Sequence, residues 1–248
     1  MSVLVTFQAS VGPLPATDTQ LEAVVRRALQ RNPHLRRGQV KVKAASGEVR
    51  LEGQVANMAL RRRVFRRVAS IRGVLAIDDR ITLAGTRLPD RTVDLRLWSR
   101  LAIYADLNPP HLHWEVEDGQ VTVQGEVSTV GRLLFLRDVM SRVTGVRSLD
   151  LDDVEVRSFT RRPLSGKRLR RAIIRMVKDP NMFPIAGHFE VRLQGQQIVL
   201  EGRVPRLIDR MEAVEVARLA GRDLEIVDHL ILDPSLGRLV IKSASPSP

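Results

Sequence analysis

The chain has 248 residues, a formal net charge of +12 and no cysteine. The lack of cysteine excludes disulfides, thiolate metal sites, a cysteine nucleophile and a lipid-modified N-terminal cysteine. Hydrophobic residues make up 44% of the chain and charged residues 27%, as in ordinary globular proteins. Residues 1–15 contain no basic side chain and no long apolar run, so they do not read as a signal peptide. We therefore expect a cytoplasmic protein whose contact with membranes, if any, is peripheral.

The positive charge is unevenly distributed along the sequence. Residues 17–84 carry 15 basic and 6 acidic side chains, whereas residues 90–157 carry 8 basic and 12 acidic ones. Residues 158–233 are moderately basic again, with 14 basic and 10 acidic side chains. A surface charged only for solubility would be more uniform, so this distribution indicates a basic first unit and an acidic middle unit.

A short apolar strand that contains glycine occurs three times, as Leu51–Val55, Val123–Val127 and Leu200–Val204. The three glycines are separated by 72 and then 77 residues, and a second glycine follows each of them after 19 or 20 residues. A period of that length is too long for a solenoid repeat and suits a small folded module. The sequence therefore predicts three tandem modules.

The first copy defines the order of elements within a module. Thr19 and Glu22 suggest a capping box, and apolar residues at helical spacing from Leu21 predict a helix that stops before Asn32-Pro33. Alternating residues from Val40 predict a strand, with a turn and a returning strand after it. A second helix is predicted from about Asn57 to Ser70, followed by a third strand over residues 74–83.

The second and third copies repeat this order, so we predict an α+β fold of three small α-β-β-α-β modules. A right-handed crossover would give each module a three-stranded mixed sheet with two helices packed on one face. The N-terminal segment has alternating apolar residues that are typical of an edge strand. The predicted divisions are an N-terminal segment at 1–16, module 1 at 17–84, module 2 at 90–157, module 3 at 163–234 and a C-terminal tail at 235–248.

These features together resemble the BON domain, a bacterial family associated with osmotic stress and nodulation. The resemblance rests on the element order, the Leu-Glu-Gly-x-Val strand, the arginine-rich second helix and the closing Gly73-Val74 and Gly145-Val146 pairs. It covers residues 19–83, 93–156 and 165–233. The family implies a non-enzymatic, stress-related module that binds phospholipids or proteins. The third copy departs from the pattern, since Gly221 is followed by arginine.

No constellation of catalytic residues is recognisable, and we predict no enzyme activity, no cofactor and no metal. His111 and His113 could face the same side of an extended segment, but no third ligand accompanies them. The acidic group of Asp150, Asp152, Asp153 and Glu155 lacks the twelve-residue loop of a calcium site. We interpret both groups as solvated surface.

Two arginine clusters are the candidate anion-binding sites. They comprise Arg61, Arg62, Arg63, Arg66 and Arg67 in the first module and Arg168, Arg170, Arg171 and Arg175 in the third. Guanidinium groups bind phosphate oxygens in a fork, so these helices could meet lipid headgroups or nucleic acid. An arginine-rich solvated face is the alternative explanation.

The first helix of module 2 is apolar over an unusually wide arc. Leu95, Trp98 and Ala102 extend beyond the side that its core residues occupy. These three residues are candidates for an apolar interface, either with a membrane or with another module or copy.

We predict from this a binding or scaffold protein that contacts anionic phospholipid surfaces or protein partners. One alternative is a nucleoid-associated protein that binds nucleic acid through its arginine-rich helices. Another is a structural protein whose modules assemble into a homo-oligomer.

Overall fold

The computed structural model describes residues 2–7, 14–35, 38–85, 87–104, 107, 111–157, 185, 187–221 and 224–236. The elements follow one another in this order: β1 (Ser2–Phe7), α1 (Asp18–Gln30), β2 (Val40–Ala45), β3 (Glu48–Val55), α2 (Met58–Ala69), β4 (Ala76–Leu83), α3 (Asp90–Leu101), β5 (Leu112–Glu117), β6 (Gln120–Val127), α4 (Val130–Ser141), β7 (Ser148–Val156), β8 (Gly187–Gln194), β9 (Gln197–Val204), α5 (Leu207–Ala220) and β10 (Glu225–Leu232).

The three modules share one sheet topology. The strand orders are β2-β3-β4, β5-β6-β7 and β8-β9-β10, and in each the first pair is antiparallel and the second parallel. The predicted α+β class and the mixed sheet are therefore confirmed. The predicted first helix of module 3 lies outside the described residues.

The N-terminal strand β1 pairs antiparallel with β8, from Ser2 opposite Arg192 to Phe7 opposite Gly187. It adds a fourth strand to the sheet of module 3. The alternation of apolar residues predicted such an edge strand but not its location. The beginning of the chain thus joins the module that is farthest from it in sequence.

The repeated glycine lies where the returning strand passes very close to its neighbour. Gly53 has φ of +149° and Gly125 has φ of +130°, values that residues with a Cβ rarely adopt. A Cβ at Gly53 would lie 2.1 Å from the carbonyl oxygen of Gln39, and one at Gly125 would lie 2.0 Å from that of His111. Glycine is therefore required at this point of the module by its backbone geometry.

The start of α1 differs from the predicted capping box. Thr17, not Thr19, is the N-cap, and its hydroxyl accepts a hydrogen bond from the Gln20 amide. Glu22 does not reach back to the cap; its carboxylate accepts from the Ala44 amide of β2 at 2.9 Å. The prediction was wrong because a tertiary contact with the neighbouring strand takes the carboxylate that the local motif would use.

A helix aspartate anchors the hairpin turn in modules 1 and 2. Asp18, the first residue of α1, accepts from the amides of Ser46 and Gly47 at 2.8 and 3.2 Å. Asp90, the first residue of α3, accepts from Asp118 and Gly119 in the same way, at 2.9 and 2.8 Å. The carboxylates satisfy amides that the tight turns leave without a strand partner.

The buried side chains that the structure describes form two clusters, although there are three sheets. Module 1 has its own core around Val25, Val49, Leu51 and Val64. The buried residues of modules 2 and 3 form a single contiguous cluster. No helix among the described residues has the length and apolarity needed to cross a bilayer.

Candidate functional site

The second helices of the three modules meet at one junction. Helix α2 contacts both α4 and α5, and ion pairs connect the helices. Arg66 of α2 pairs with Glu212 of α5, and Arg137 of α4 pairs with Glu215 of α5 at 2.9 Å. Arg72, just after α2, donates from Nε to the carbonyl oxygen of Pro234 at 2.9 Å. We call this contact region the helix junction; it connects modules that are distant in sequence.

The predicted arginine cluster of module 1 is divided by this junction. Arg61 pairs within its module with Asp79 of β4 at 2.9 Å, and module 3 repeats that pair as Arg210 and Asp228 at 2.8 Å. Arg62 and Arg66 are half-buried at the junction. Arg63 and Arg67 are exposed, and the side chains of Arg61 and Arg66 are 38% and 41% exposed.

The structure thus places the five arginines of α2 in different surroundings, and their binding of anions stays a prediction. Residues 62 and 66 point toward helices of the other modules, because α2 packs against them as well as against its own sheet. Sequence periodicity distinguishes only the core side of a helix, so it does not separate positions that meet solvent from positions that meet another module. The second predicted cluster, Arg168, Arg170, Arg171 and Arg175, lies outside the described residues.

Burial at the junction changes the ionisation of its side chains. Burial and, to a smaller extent, the positive charges of Arg137 and Arg66 together lower the pKa of Arg62 to about 10. Burial also raises the pKa of Glu212, although Arg66 opposes the shift. Glu212 is only 2% exposed, and one of its oxygens, Oε2, has no hydrogen-bond partner among the described residues.

Sequence reasoning missed Glu212 and Glu215 as junction residues. A signal was present in α4, where Leu133 and Leu134 stand at the positions of Arg61 and Arg62. Helix α4 is apolar on nearly all sides, with Leu133, Leu136, Val139 and Met140 buried, and such a helix is normally covered on more than one face. That observation predicts packing between modules but not the partner helix.

A cavity of about 330 Å³ lies at the helix junction. Its polar wall includes Arg62, Arg66, Arg137, Glu212 and Glu215, which come from three different helices. Its apolar wall is formed by Met58, Phe65, Ile208 and Met211. The site is thus assembled only when all three modules are in place.

The outer face of α3 is the second candidate site. Leu95 is 59% exposed and Trp98 is 47% exposed, and Ile103 just beyond the helix is 67% exposed. Ala102 is also exposed. The structure thus leaves all three predicted apolar interface residues at the surface. The opposite side of α3 is fully buried through Val93, Leu97 and Leu101.

Trp98 is held in place although it is half-exposed. Its ring lies 4.7 Å from that of Trp114, measured between centroids, at a tilt of 52°. Trp114 in turn donates from Nε1 to the Asp94 carboxylate at 2.8 Å. The exposed indole therefore stands on a fixed aromatic support, which reduces the entropy it would lose on binding.

The sequence-identified histidines and acidic residues lie at the surface. His111 and His113 are exposed, and so are Asp150, Asp152, Asp153 and Glu155 around strand β7. Across the described ranges, no group of three or more histidine or carboxylate side chains is arranged to hold a metal ion.

Comparison with known proteins gives one family match. Residues 17–85 match the model of the BON domain. This agrees with the resemblance of module 1, and the structure repeats the same sheet topology in modules 2 and 3. No curated protein sequence matches the chain significantly.

Two solved structures of CdsD, a structural protein of the type III secretion system of Chlamydia trachomatis, also align with the chain. The first, the C-terminal domain of CdsD, is 15% identical to this chain, and the alignment covers 85% of this chain and 96% of the CdsD chain. The second CdsD structure is 16% identical to this chain, and the alignment covers 85% of this chain and 91% of the CdsD chain. The TM-score is 0.22 in both cases.

Proposed function

We propose that this chain is a non-enzymatic binding protein made of three BON modules, and that it docks on anionic phospholipid surfaces through the outer face of α3. The BON match of module 1 supports the class of module. The exposed apolar face of Leu95, Trp98 and Ile103 is the single observation that carries the choice of surface.

The charges of α3 support an anionic surface as the partner. Arg91, Arg96 and Arg100 are exposed on this helix. Its two acidic residues, Asp90 and Asp94, are instead engaged by the hairpin turn and by Trp114. The helix therefore offers positive charge to solvent within a module that is acidic as a whole, next to its exposed apolar residues.

Apolar and basic residues together match the chemistry of a membrane interface. Tryptophan favours the headgroup region, and apolar residues can enter the boundary with the acyl chains. Each arginine near an anionic leaflet contributes about 1 kcal/mol of attraction, which salt screens. Binding should therefore depend on both the indole and the ionic strength.

The two alternatives from the sequence are less well supported. Binding of nucleic acid through α2 would need a continuous cationic face, whereas Arg61 and Arg66 are paired with carboxylates. Self-assembly through the same α3 face is the competing explanation for its exposure. The experiment below separates it from membrane binding.

Sedimentation with vesicles of phosphatidylcholine containing phosphatidylserine tests the proposal. We expect binding that weakens as salt is raised, with a blue shift of tryptophan emission. Trp98→Ala and Leu95→Ser should each weaken it at least several-fold. Ile231→Ala, at another exposed apolar residue, is the control and should leave binding unchanged.

Three results would count against the proposal. Wild-type protein that does not sediment at low salt, or a Trp98→Ala variant that binds normally, removes the α3 face as a membrane site. A change of oligomeric state in Trp98→Ala by light scattering, with no lipid present, would instead assign the face to contact between copies. Urea unfolding of each variant verifies that it is folded.

A further inference from the structure

We propose that the cavity at the helix junction is a binding site for a small phosphate monoester. This site is separate from the α3 face and does not rest on membrane binding. Residues of all three modules line it, so a bound phosphate would connect the modules. Its volume of about 330 Å³ is at the lower end of the range for small-molecule sites.

The charge balance of the cavity favours an anion. Four guanidinium groups line it, those of Arg61, Arg62, Arg66 and Arg137, against the three carboxylates of Asp79, Glu212 and Glu215. Arg61, Arg66 and Arg137 are each paired with one of those carboxylates. Within the part of the chain that the structure describes, Arg62 has no hydrogen bond or ion pair. Its half-buried charge is repelled by Arg137 and Arg66 more strongly than it is attracted by Asp138 and Glu215, so positive charge remains in excess there.

A buried donor that lacks a partner supports the same conclusion. Arg137 Nε is buried without a hydrogen-bond partner among the described residues. Buried polar atoms are normally satisfied, and an unsatisfied one calls for an explanation. A phosphate oxygen can accept from Arg137 Nε, and guanidinium groups bind phosphate in a fork geometry.

The apolar wall of the cavity favours binding of a phosphate ester over inorganic phosphate. Met58, Phe65 and Met211 lie beside the charged residues in the same cavity. An aryl or alkyl group attached to the phosphate would contact them, and aromatic and methionine side chains favour such contacts. We therefore expect an ester such as phenyl phosphate to bind more tightly than inorganic phosphate.

Isothermal titration calorimetry on the full chain, at constant ionic strength, tests the proposal. The probes are phenyl phosphate, inorganic phosphate, phenol and monomeric dihexanoyl phosphatidic acid. Phenyl phosphate should bind with one site per chain and more tightly than inorganic phosphate, while phenol should not bind. Binding of the short-chain lipid as well would identify a lipid headgroup as a source of the phosphate, and binding of phenyl phosphate alone would favour a soluble one.

Arg62→Gln is the decisive variant, since it removes the charge that has no partner and retains most of the side-chain length. We expect it to lower the affinity for phenyl phosphate by about tenfold or more. Without ligand, it should unfold at the same urea concentration as the wild type or higher, because it removes repulsion between arginines. Arg63→Gln, the exposed neighbour, is the matched control and should bind normally.

Several outcomes would overturn the proposal. These are no heat of binding with any phosphate at low salt, an Arg62→Gln affinity equal to the wild type, or an equal loss in Arg63→Gln. Equal binding of phenol and phenyl phosphate would also exclude a phosphate site. Trp98→Ala should bind phenyl phosphate normally, so failure of the membrane proposal and failure of this one are distinguishable.

Discussion

Substitution of the repeated glycine should unfold module 1 before the rest of the chain. Gly53→Ala places a Cβ 2.1 Å from the Gln39 carbonyl oxygen and demands φ of +149° from a non-glycine residue. Strain in that backbone region costs about 1–3 kcal/mol. Relief of the overlap must move the hairpin and weaken hydrogen bonds worth about 1 kcal/mol each.

We therefore expect a loss of about 2–4 kcal/mol for Gly53→Ala, as the sum of the strain and about one lost hydrogen bond. With a urea dependence of about 1 kcal/mol per molar for so small a module, the midpoint of module 1 should fall by roughly 3 M. Gly38→Ala is the control: its φ is also positive, at +76°, but an added Cβ meets no atom within 4 Å. It should cost about 1 kcal/mol, as for a single left-handed residue.

Two spectroscopic probes can follow this effect separately. Both tryptophans, Trp98 and Trp114, are in module 2, whereas far-ultraviolet circular dichroism reports all three modules. Because module 1 has its own core, Gly53→Ala should lower the first circular dichroism transition and leave the tryptophan transition at higher urea. Equal losses for Gly53→Ala and Gly38→Ala would refute the steric argument. Coincident transitions for both probes would refute the separate core.

Three further predictions concern single contacts. Asp90→Ala removes two hydrogen bonds to the hairpin turn and should destabilise module 2 by about 1–2 kcal/mol. Tryptophan fluorescence in urea measures this loss, and an unchanged unfolding midpoint would show that the turn does not need these hydrogen bonds. Burial raises the pKa of Glu212, so protonation of this side chain stabilises the folded state. The stabilisation is complete at a pH below the pKa of the unfolded chain, and it is lost as the pH rises through the pKa of the folded protein. The stability of the wild type relative to Glu212→Gln should therefore increase from pH 7 to pH 4.5, and a parallel pH dependence would contradict this. Leu4→Pro interrupts the pairing of β1 with β8 and should produce aggregation of the protein through the uncovered edge, seen by light scattering as particles larger than the wild type.

The local architecture was predictable because it depends on local patterns. Alternation in the strands and helical spacing in α1 and α2 gave the order of elements, and the repeated glycines gave the number of modules. Helix α2 was predicted to within one residue at each end, and the structure shows that Asn57 is its N-cap. These features follow from backbone geometry and from burial against the module's own sheet, both of which are encoded within about 70 residues.

The candidate sites were predictable in unequal measure. The outer face of α3 was recognised because Leu95, Trp98 and Ala102 exceed what one core requires, and these residues are exposed. The arginines of α2 were recognised as candidate anion-binding residues, but the contact of this helix with other modules was not foreseen. A side chain that leaves the core side of its helix can meet solvent or another module, and the periodicity of its own helix is the same in both cases.

The sequence by itself therefore determined the repeated module, the position of its glycines and the wide apolar arc of α3. Only the tertiary structure decided that β1 adds a fourth strand to the sheet of module 3 and that α2, α4 and α5 meet at one junction. The pair of Arg66 and Glu212 connects residues 146 positions apart. Such a contact depends on how completed modules pack, and no local spacing of residues records that arrangement.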